Sequence, residues 1–347
     1  MNVTKFGPLV SRPDALVSYE VREKVETFNV MFGEVVGLLG IIANVINIVV
    51  FSKNGFDDTV NISLTALAAG DIGALVTLQC FNVIVNPWFL ALDLPFLALE
   101  IQSLVAGYPH NYFVKVTGFI TAFVAFERCL CVYTPLKVRQ IVTKKLAIAF
   151  NVCVFFVIAL TMFPVYYTAY YDWKFVPTLN KTVLGIFYTK NLNELLGPSL
   201  FITNSVVPLI AFGVIILCNI VIGFKLKSKA IWRKKASSSV AEITLKEKRV
   251  VVMIVTVSII FIVCFIPSSA LLSARAVVPE LSIGGVYANI NWIVATTALE
   301  METVNSSITV VVYYRMSTKY RETLRALFRW DAKSAGKQTK NAALDTI

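Results

Sequence analysis

Long apolar runs dominate the chain, and polar or charged joints divide them. From the N-terminus the runs fall at about 30–52, 60–84, 99–133, 144–168, 199–226, 250–274 and 287–314. Crossing the hydrocarbon of a bilayer takes about 20 mostly apolar residues, so each run is long enough for one spanning helix. The pattern predicts an all-α integral membrane protein, a bundle of seven transmembrane helices over 30–314. The third run is longer and less purely apolar, which suits a tilted helix buried among the others. Residues 1–29 read as a polar extracellular segment. They hold Lys5, Arg12, Arg22 and Lys24 and no short apolar core, so no cleavable signal peptide is expected and the first span serves as its own insertion signal. After the seventh run, Arg321, Arg325 and Arg329 alternate with Tyr320, Leu324, Leu327 and Phe328. That alternation predicts a short amphipathic eighth helix over 315–330, lying on the inner membrane surface, followed by a flexible cytoplasmic tail over 331–347.

Composition agrees. The 347 residues are 57% hydrophobic and 15% charged, whereas a soluble domain averages about 45–50% apolar and about 25% charged. Much of the apolar surface must therefore face lipid. With the N-terminus outside, the inner loops and tail hold 22 of the 32 Lys and Arg residues, with a cluster at Arg233, Lys234 and Lys235. That asymmetry obeys the positive-inside rule and places a multi-pass protein in the plasma membrane with its N-terminus extracellular. The net charge of +11 is thus a membrane-face signature. Its partners are anionic lipid heads, not nucleic acid, whose binding domains gather such charge on a folded polar surface. Two glycosylation sequons, at Asn2 and Asn180, fall on the outer side in this orientation.

Other function classes lack their residues. A single histidine, His110, excludes the imidazole clusters of zinc hydrolases, and neither a catalytic set nor a metal-ligand spacing is present. The run 287–314 has no lysine to carry a retinal Schiff base. No internal repeat of the kind found in transporters appears. The six cysteines lie in or beside apolar runs, so they read as small hydrophobes, and no extracellular disulfide is expected.

Ionisable groups at bilayer depth are costly and mark function or a paired interior. Asp71 sits mid-span in the second run, where Asn44, Thr117, Asn305, Ser306 and Thr309 can surround it with oxygens as a water or sodium-like cation pocket, or as a polar seam joining helices. Glu127 and Arg128 close the third span at the inner face, where Arg128 can pair with Glu127 or reach Glu247 at the start of the sixth. Lys115 lies nearly four turns above Arg128, and Glu300 and Glu302 lie midway down the seventh span; Lys115 is expected to pair with Glu302. Pro164, Pro208 and Pro267 each remove a helical hydrogen bond and permit a kink.

Taken in order, these residues resemble the rhodopsin-like (class A) G-protein-coupled receptors over nearly all of 30–330. The matches are Asn44 after Gly40, Leu67-Ala68 with Asp71, Glu127-Arg128-Cys129 followed by Pro135-Leu136, Pro208, the run from Phe261 through Cys264 and Phe265 to Pro267, Asn305-Ser306, and Tyr313 followed by Tyr320-Arg321. Within the family, the segments FERCLCVYTPLKV and NSSITVVVYYRMS are most similar to molluscan receptors labelled chemosensory and, more distantly, to FMRFamide-type peptide receptors. The resemblance implies an agonist pocket that opens outward and draws on His110, Asn111, Lys115, Ser268, Ser269, Leu299 and Glu302. It implies a helix-six toggle at Phe261, Cys264, Phe265 and Pro267. It also implies an inner switch, at Glu127, Arg128, Glu247, Pro135, Leu136 and Tyr313, that activates a heterotrimeric G protein. The chain departs from the family at several places. Ser103 stands where a disulfide cysteine is usual, the helix-six tryptophan is Phe265, the Asn-Pro pair of helix seven reads Thr309-Val310, and the tyrosine low in helix five is Ile216. Without the disulfide, the outer loop over 169–198 is expected to be held by packing of Trp173 and its tyrosines. The lost Asn-Pro pair and Ile216 keep an alternative open: a receptor fold that scaffolds or traffics without signalling.

Overall fold

The computed structural model describes residues 17–134, 137–177, 179–190, 199, 202–233, 238–281 and 285–328. Asn2, Pro135 and Leu136 lie outside the described residues, as does the side chain of Glu247. Seven long helices form the body: α1 (Tyr19–Asn54), α2 (Thr59–Val85), α3 (Ala98–Tyr133), α4 (Lys144–Thr168), α5 (Ile202–Val206 continued by Val207–Arg233), α6 (Ser238–Val277) and α7 (Ala288–Met316). A further helix, α8, covers 318–328. Six of these are long and apolar enough by composition to cross a membrane. The helix α7 is not among them because Glu300, Glu302, Asn305, Ser306 and Thr309 interrupt its apolar run. All five are buried, so α7 hides its polar groups against its neighbours rather than facing lipid with them.

Local chemistry sets the helix ends. Ser18, Asp58 and Thr143 cap α1, α2 and α4 by accepting from the backbone N–H of Val21, Val60 and Leu146, which satisfies donors that a helix start leaves free. The cap at Ser18 starts α1 about three turns before the apolar run. Those turns are braced by Glu20–Lys24 (2.6 Å) and Arg22–Glu26 (3.4 Å) pairs one turn apart. The polar segment read as 1–29 is therefore helical from Tyr19 onward. Prolines shape four other helices. Pro109 has no N–H for the carbonyl of Val105, and Pro208 none for that of Asn204. In each case a π turn, Ser103–Gly107 or Ile202–Val206, precedes the proline. Pro164 follows a break at Met162 in α4, while Pro267 lies inside α6.

The helix α3 stands at the centre, touching α2, α4, α5 and α6, and α1 packs on α2 and α7. Its glycines let α1 come close: the space that a Cβ on Gly33, Gly37 or Gly40 would need is filled by the side-chain tips of Glu300, Gln79 and Ser307. The core of the inner half gathers Val50, Phe51, Leu64, Val116, Ile120, Ile254, Tyr313 and Tyr320. Tyr320 ties α8 to this core. Its ring lies 5.6 Å from Phe51 and 5.7 Å from Tyr313, and its hydroxyl donates to Asn47 Oδ1 (2.5 Å). Lys319 and Thr323 bond Asn54 at the end of α1. Leu324 and Leu327 face the same core, whereas Arg325 and Phe328 are exposed. Tyr320, Leu324 and Leu327 thus take the apolar side predicted for the eighth helix, whereas Phe328, predicted with them, is exposed.

The outer loop is more ordered than the sequence reading expected. Strands β1 (Ala169–Val176) and β2 (Lys181–Tyr188) form an antiparallel hairpin. Its turn places the sequon residue Asn180, exposed and with φ +48°, at the tip. Packing of Trp173 does not hold the hairpin, because Trp173 points outward and is 59% exposed. A polar clamp does so instead. The carboxylate of Glu100, on the first turns of α3, accepts from Lys174 Nζ (2.6 and 2.8 Å) and from the backbone N–H of Ile186 (2.9 Å). Leu184 exchanges backbone hydrogen bonds with Pro95 and Leu97 (2.9 Å each), and Lys181 pairs with Asp93. Charge-assisted bonds of this kind contribute about 1.5–3 kcal/mol each. We therefore expect Glu100→Ala to raise amide hydrogen exchange across 181–188 severalfold while the seven helices stay protected. Exchange unchanged from the wild type would mean that the backbone bridge at Leu184 holds the hairpin alone.

Candidate functional site

A cavity opens among α3, α5, α6 and α7. Its walls are mostly apolar, from Val114, Phe119, Val207, Phe212, Phe265 and Leu272, with a few polar groups at Asn111, Lys115, Asn204, Ser268, Ser269 and Glu302. A ligand site has this composition: an apolar body for affinity and sparse polar groups for orientation. The wall of α6 is the segment that carries Pro267. Below it the Phe261 ring packs at a tilt against Phe265 (4.4 Å between centroids) and against Phe212 of α5 (5.8 Å). Gly118 of α3 faces the tip of the Phe261 ring.

Behind the cavity a polar knot joins four helices. His110 of α3 sets Nδ1 against the carbonyl of Ala74 on α2 (2.9 Å) and Nε2 against Glu302 Oε2 on α7 (2.9 Å). Ser268 of α6 donates to the other carboxylate oxygen, Oε1. The carbonyl of Ala74 has no hydrogen to give, so Nδ1 of His110 carries a proton, and a second proton is shared between Nε2 and Glu302. Lys115 takes no part in this knot. Its Nζ donates to Asn204 Oδ1 of α5 (3.0 Å).

Deeper in the bundle a seam of hydrogen bonds runs along α7. Ser306 donates to Asp71 Oδ1 (2.9 Å), and Asn44 Nδ2 donates to the carbonyls of Ser306 (2.7 Å) and Gly40 (3.0 Å). Asn47 continues it, donating to Asn44 Oδ1 (3.1 Å) and Thr309 Oγ1 (3.3 Å). Asp71 is 1% exposed, and no cationic side chain among the described residues pairs with it. At the inner end, Arg128 Nη2 lies 3.2 Å from Glu127 Oε1 and 3.8 Å from Asp58 Oδ1, and Thr59 donates to the same oxygen of Glu127. Glu127 is 1% exposed, with its second oxygen unpartnered.

A family model described as 7 transmembrane receptor (rhodopsin family) matches residues 43–319, from the middle of α1 into α8. The chain belongs to the rhodopsin family of seven-transmembrane receptors. It is a receptor, not an enzyme. No curated protein matches it.

In this receptor Asn111, Lys115, Ser268, Ser269 and Glu302 line the cavity. His110 stands behind the wall, through Glu302. Leu299 is off the wall, because Glu302 is the α7 residue that lines it and Leu299 lies about one turn nearer the outside. The expected pair of Lys115 with Glu302 does not form: Glu302 is taken by His110 and Ser268. Asn204, the partner Lys115 has instead, was not foreseen. Asn44, Asp71, Ser306 and Thr309 come together, with Asn47 as an unforeseen link. Asn305 is buried on the same helix, whereas the Thr117 hydroxyl is spent on the carbonyl of Val114 (2.8 Å). Phe261, Cys264 and Phe265 are buried together on α6, and Tyr313 packs edge-on against Phe51 (5.2 Å). For Arg128, the partners found are Glu127 and Asp58; the expected reach to Glu247 falls on a side chain outside the described residues. Ile216 lies on the outer surface of α5, 43% exposed.

Proposed function

We propose that this receptor binds a small-molecule or peptide agonist in the cavity among α3, α5, α6 and α7 and activates a heterotrimeric G protein when the inner half of α6 swings outward. One observation carries the reading. The wall of the cavity and the proline of α6 are the same stretch, with Phe265, Ser268 and Ser269 flanking Pro267. A ligand that fits differently against the two packings of α6 shifts the population between them, and differential contact is all that such a shift requires. At the other end of the bundle Arg128 is held by Glu127 and Asp58. Release of that contact would free Arg128 and the basic third inner loop for the G protein. The seam around Asp71 suits a sodium ion or water that favours the resting packing. The charge asymmetry supports a plasma-membrane protein with its N-terminus outside and glycans at Asn2 and Asn180. Within the family, the segments FERCLCVYTPLKV and NSSITVVVYYRMS support a likeness to molluscan chemosensory-type receptors and, more distantly, to FMRFamide-type receptors.

The test is ligand-free nucleotide exchange on heterotrimeric G proteins by membranes carrying the receptor. Arg128→Ala is expected to bring exchange down to the level of membranes without receptor. Equal rates from wild type and Arg128→Ala at equal surface amounts would favour the second reading, a receptor fold that scaffolds without signalling, to which Thr309-Val310 and Ile216 point.

A further inference from the structure

Two charged side chains line the cavity, Lys115 and Glu302, and only one of them is neutralised. Both oxygens of Glu302 are engaged, by His110 and by Ser268. Proton counting leaves the His110–Glu302 pair neutral as a unit, because Nδ1 of His110 keeps its proton on the Ala74 carbonyl and one further proton is shared between Nε2 and the carboxylate. Lys115 is 6% exposed. Its one hydrogen-bond partner among the described residues is the neutral amide oxygen of Asn204, and no carboxylate lies within ion-pair distance of it. Glu302 acts on Lys115 only at longer range, and a buried cation without a directly paired counter-charge is costly unless something supplies one.

We infer that the ligand of this cavity carries an oxyanion, a carboxylate in the simplest case, that docks on Lys115 and Asn204. This deepens the proposed agonist site and rests on that reading. An ammonium group has three N–H donors, of which Asn204 takes one and leaves two. Asn204, having used its oxygen, keeps its amide N–H bonds to donate alongside them. Ser269 adds a hydroxyl from the α6 wall of the same cavity. A carboxylate, with about four lone-pair positions on two oxygens, matches that donor set. The rest of the wall, from Val114, Phe119, Phe212, Phe265 and Leu272, takes an aromatic or aliphatic body. The ligand class is therefore an apolar body ending in an acid. It is met either by a free arylalkyl carboxylate or by a peptide with an apolar C-terminal residue and a free C-terminus.

Thermal unfolding of the purified full-length receptor in lipid nanodiscs tests this with paired probes. One pair is 3-phenylpropionate and 3-phenylpropanamide; the other is N-acetyl-Phe-Phe as free acid and as amide. A stabilising ligand raises the melting temperature according to its affinity. At least one acid is expected to bind ten times more tightly than its own amide. The pair that shows this separates a small carboxylate from a peptide terminus. Lys115→Arg is expected to keep the preference and Lys115→Gln to remove it. Equal shifts from acid and amide in both pairs, or no shift from either acid, would overturn the inference. So would a preference that survives in Lys115→Gln. The acid–amide comparison in wild type decides the matter even where a Lys115 variant fails to fold. None of these outcomes touches ligand-free exchange, so the receptor reading stands or falls separately.

Discussion

Glu302→Ala will cost the receptor about 3–5 kcal/mol of stability, the range found when one partner of a buried pair is removed. The carboxylate is the meeting point of α3 through His110, α6 through Ser268 and, through the far nitrogen of the same imidazole, α2 at Ala74. Without it, Nε2 of His110 and the hydroxyl of Ser268 lose their partner in a region where water has little access. Glu302→Gln keeps an acceptor of nearly the same size and should lose far less. A double-mutant cycle separates packing from pairing. With His110→Ala also present, the cost of Glu302→Ala should fall well below its value alone, since residues in one network are not additive. Melting curves of the four proteins in nanodiscs provide the measurement, and costs that simply add would show that the two side chains do not act as a unit.

Glu127→Gln will raise ligand-free activity about tenfold, equivalent to about 1.4 kcal/mol between the two packings. In the structure Arg128 is neutralised by a carboxylate 3.2 Å away that is itself 1% exposed and held by Thr59. The more distant Asp58, at 3.8 Å and largely exposed, cannot replace it, because an exposed pair contributes about 0–1 kcal/mol. With glutamine at 127 the guanidinium keeps a hydrogen bond but loses its nearest counter-charge, and the resting arrangement loses most. Nucleotide exchange normalised to surface receptor reads the effect. An unchanged basal rate would mean that another contact of α3 holds the resting state.

Much of this molecule can be read from its sequence, and the misses have physical causes. Hydropathy finds the helices because the cost of exposing polar backbone to lipid leaves few alternatives, although the polar groups of α7 make its signal the weakest. The start of α1 at Tyr19 escapes that signal, since the turns above the membrane are held by a Ser18 cap and charge pairs rather than by apolar run length. The hairpin over 169–188 carried a strand signal in its aromatic and β-branched residues around Pro177 to Asn180. Reading that segment only as a loop missed it. The mistaken partner of Lys115 has a geometric origin. His110 and Lys115 are five residues apart, which puts them about 140° apart around α3. His110 faces α7 while Lys115 faces α5, so depth in the membrane alone could not pair them. Asn204 was hidden at the start of an apolar run, in a π turn that only the following Pro208 hints at. Asp58 and Thr59 look like an ordinary helix start, and only the bundle reveals that this start lies beside Glu127.

The most direct test of a two-state signalling receptor is ligand-free nucleotide exchange measured side by side for wild type, Glu127→Gln and Arg128→Ala at matched surface levels. The structure predicts the order Glu127→Gln, then wild type, then Arg128→Ala at the background of empty membranes. Three equal rates across a panel of G-protein classes would contradict it and leave a seven-helix protein that keeps the receptor fold without its output.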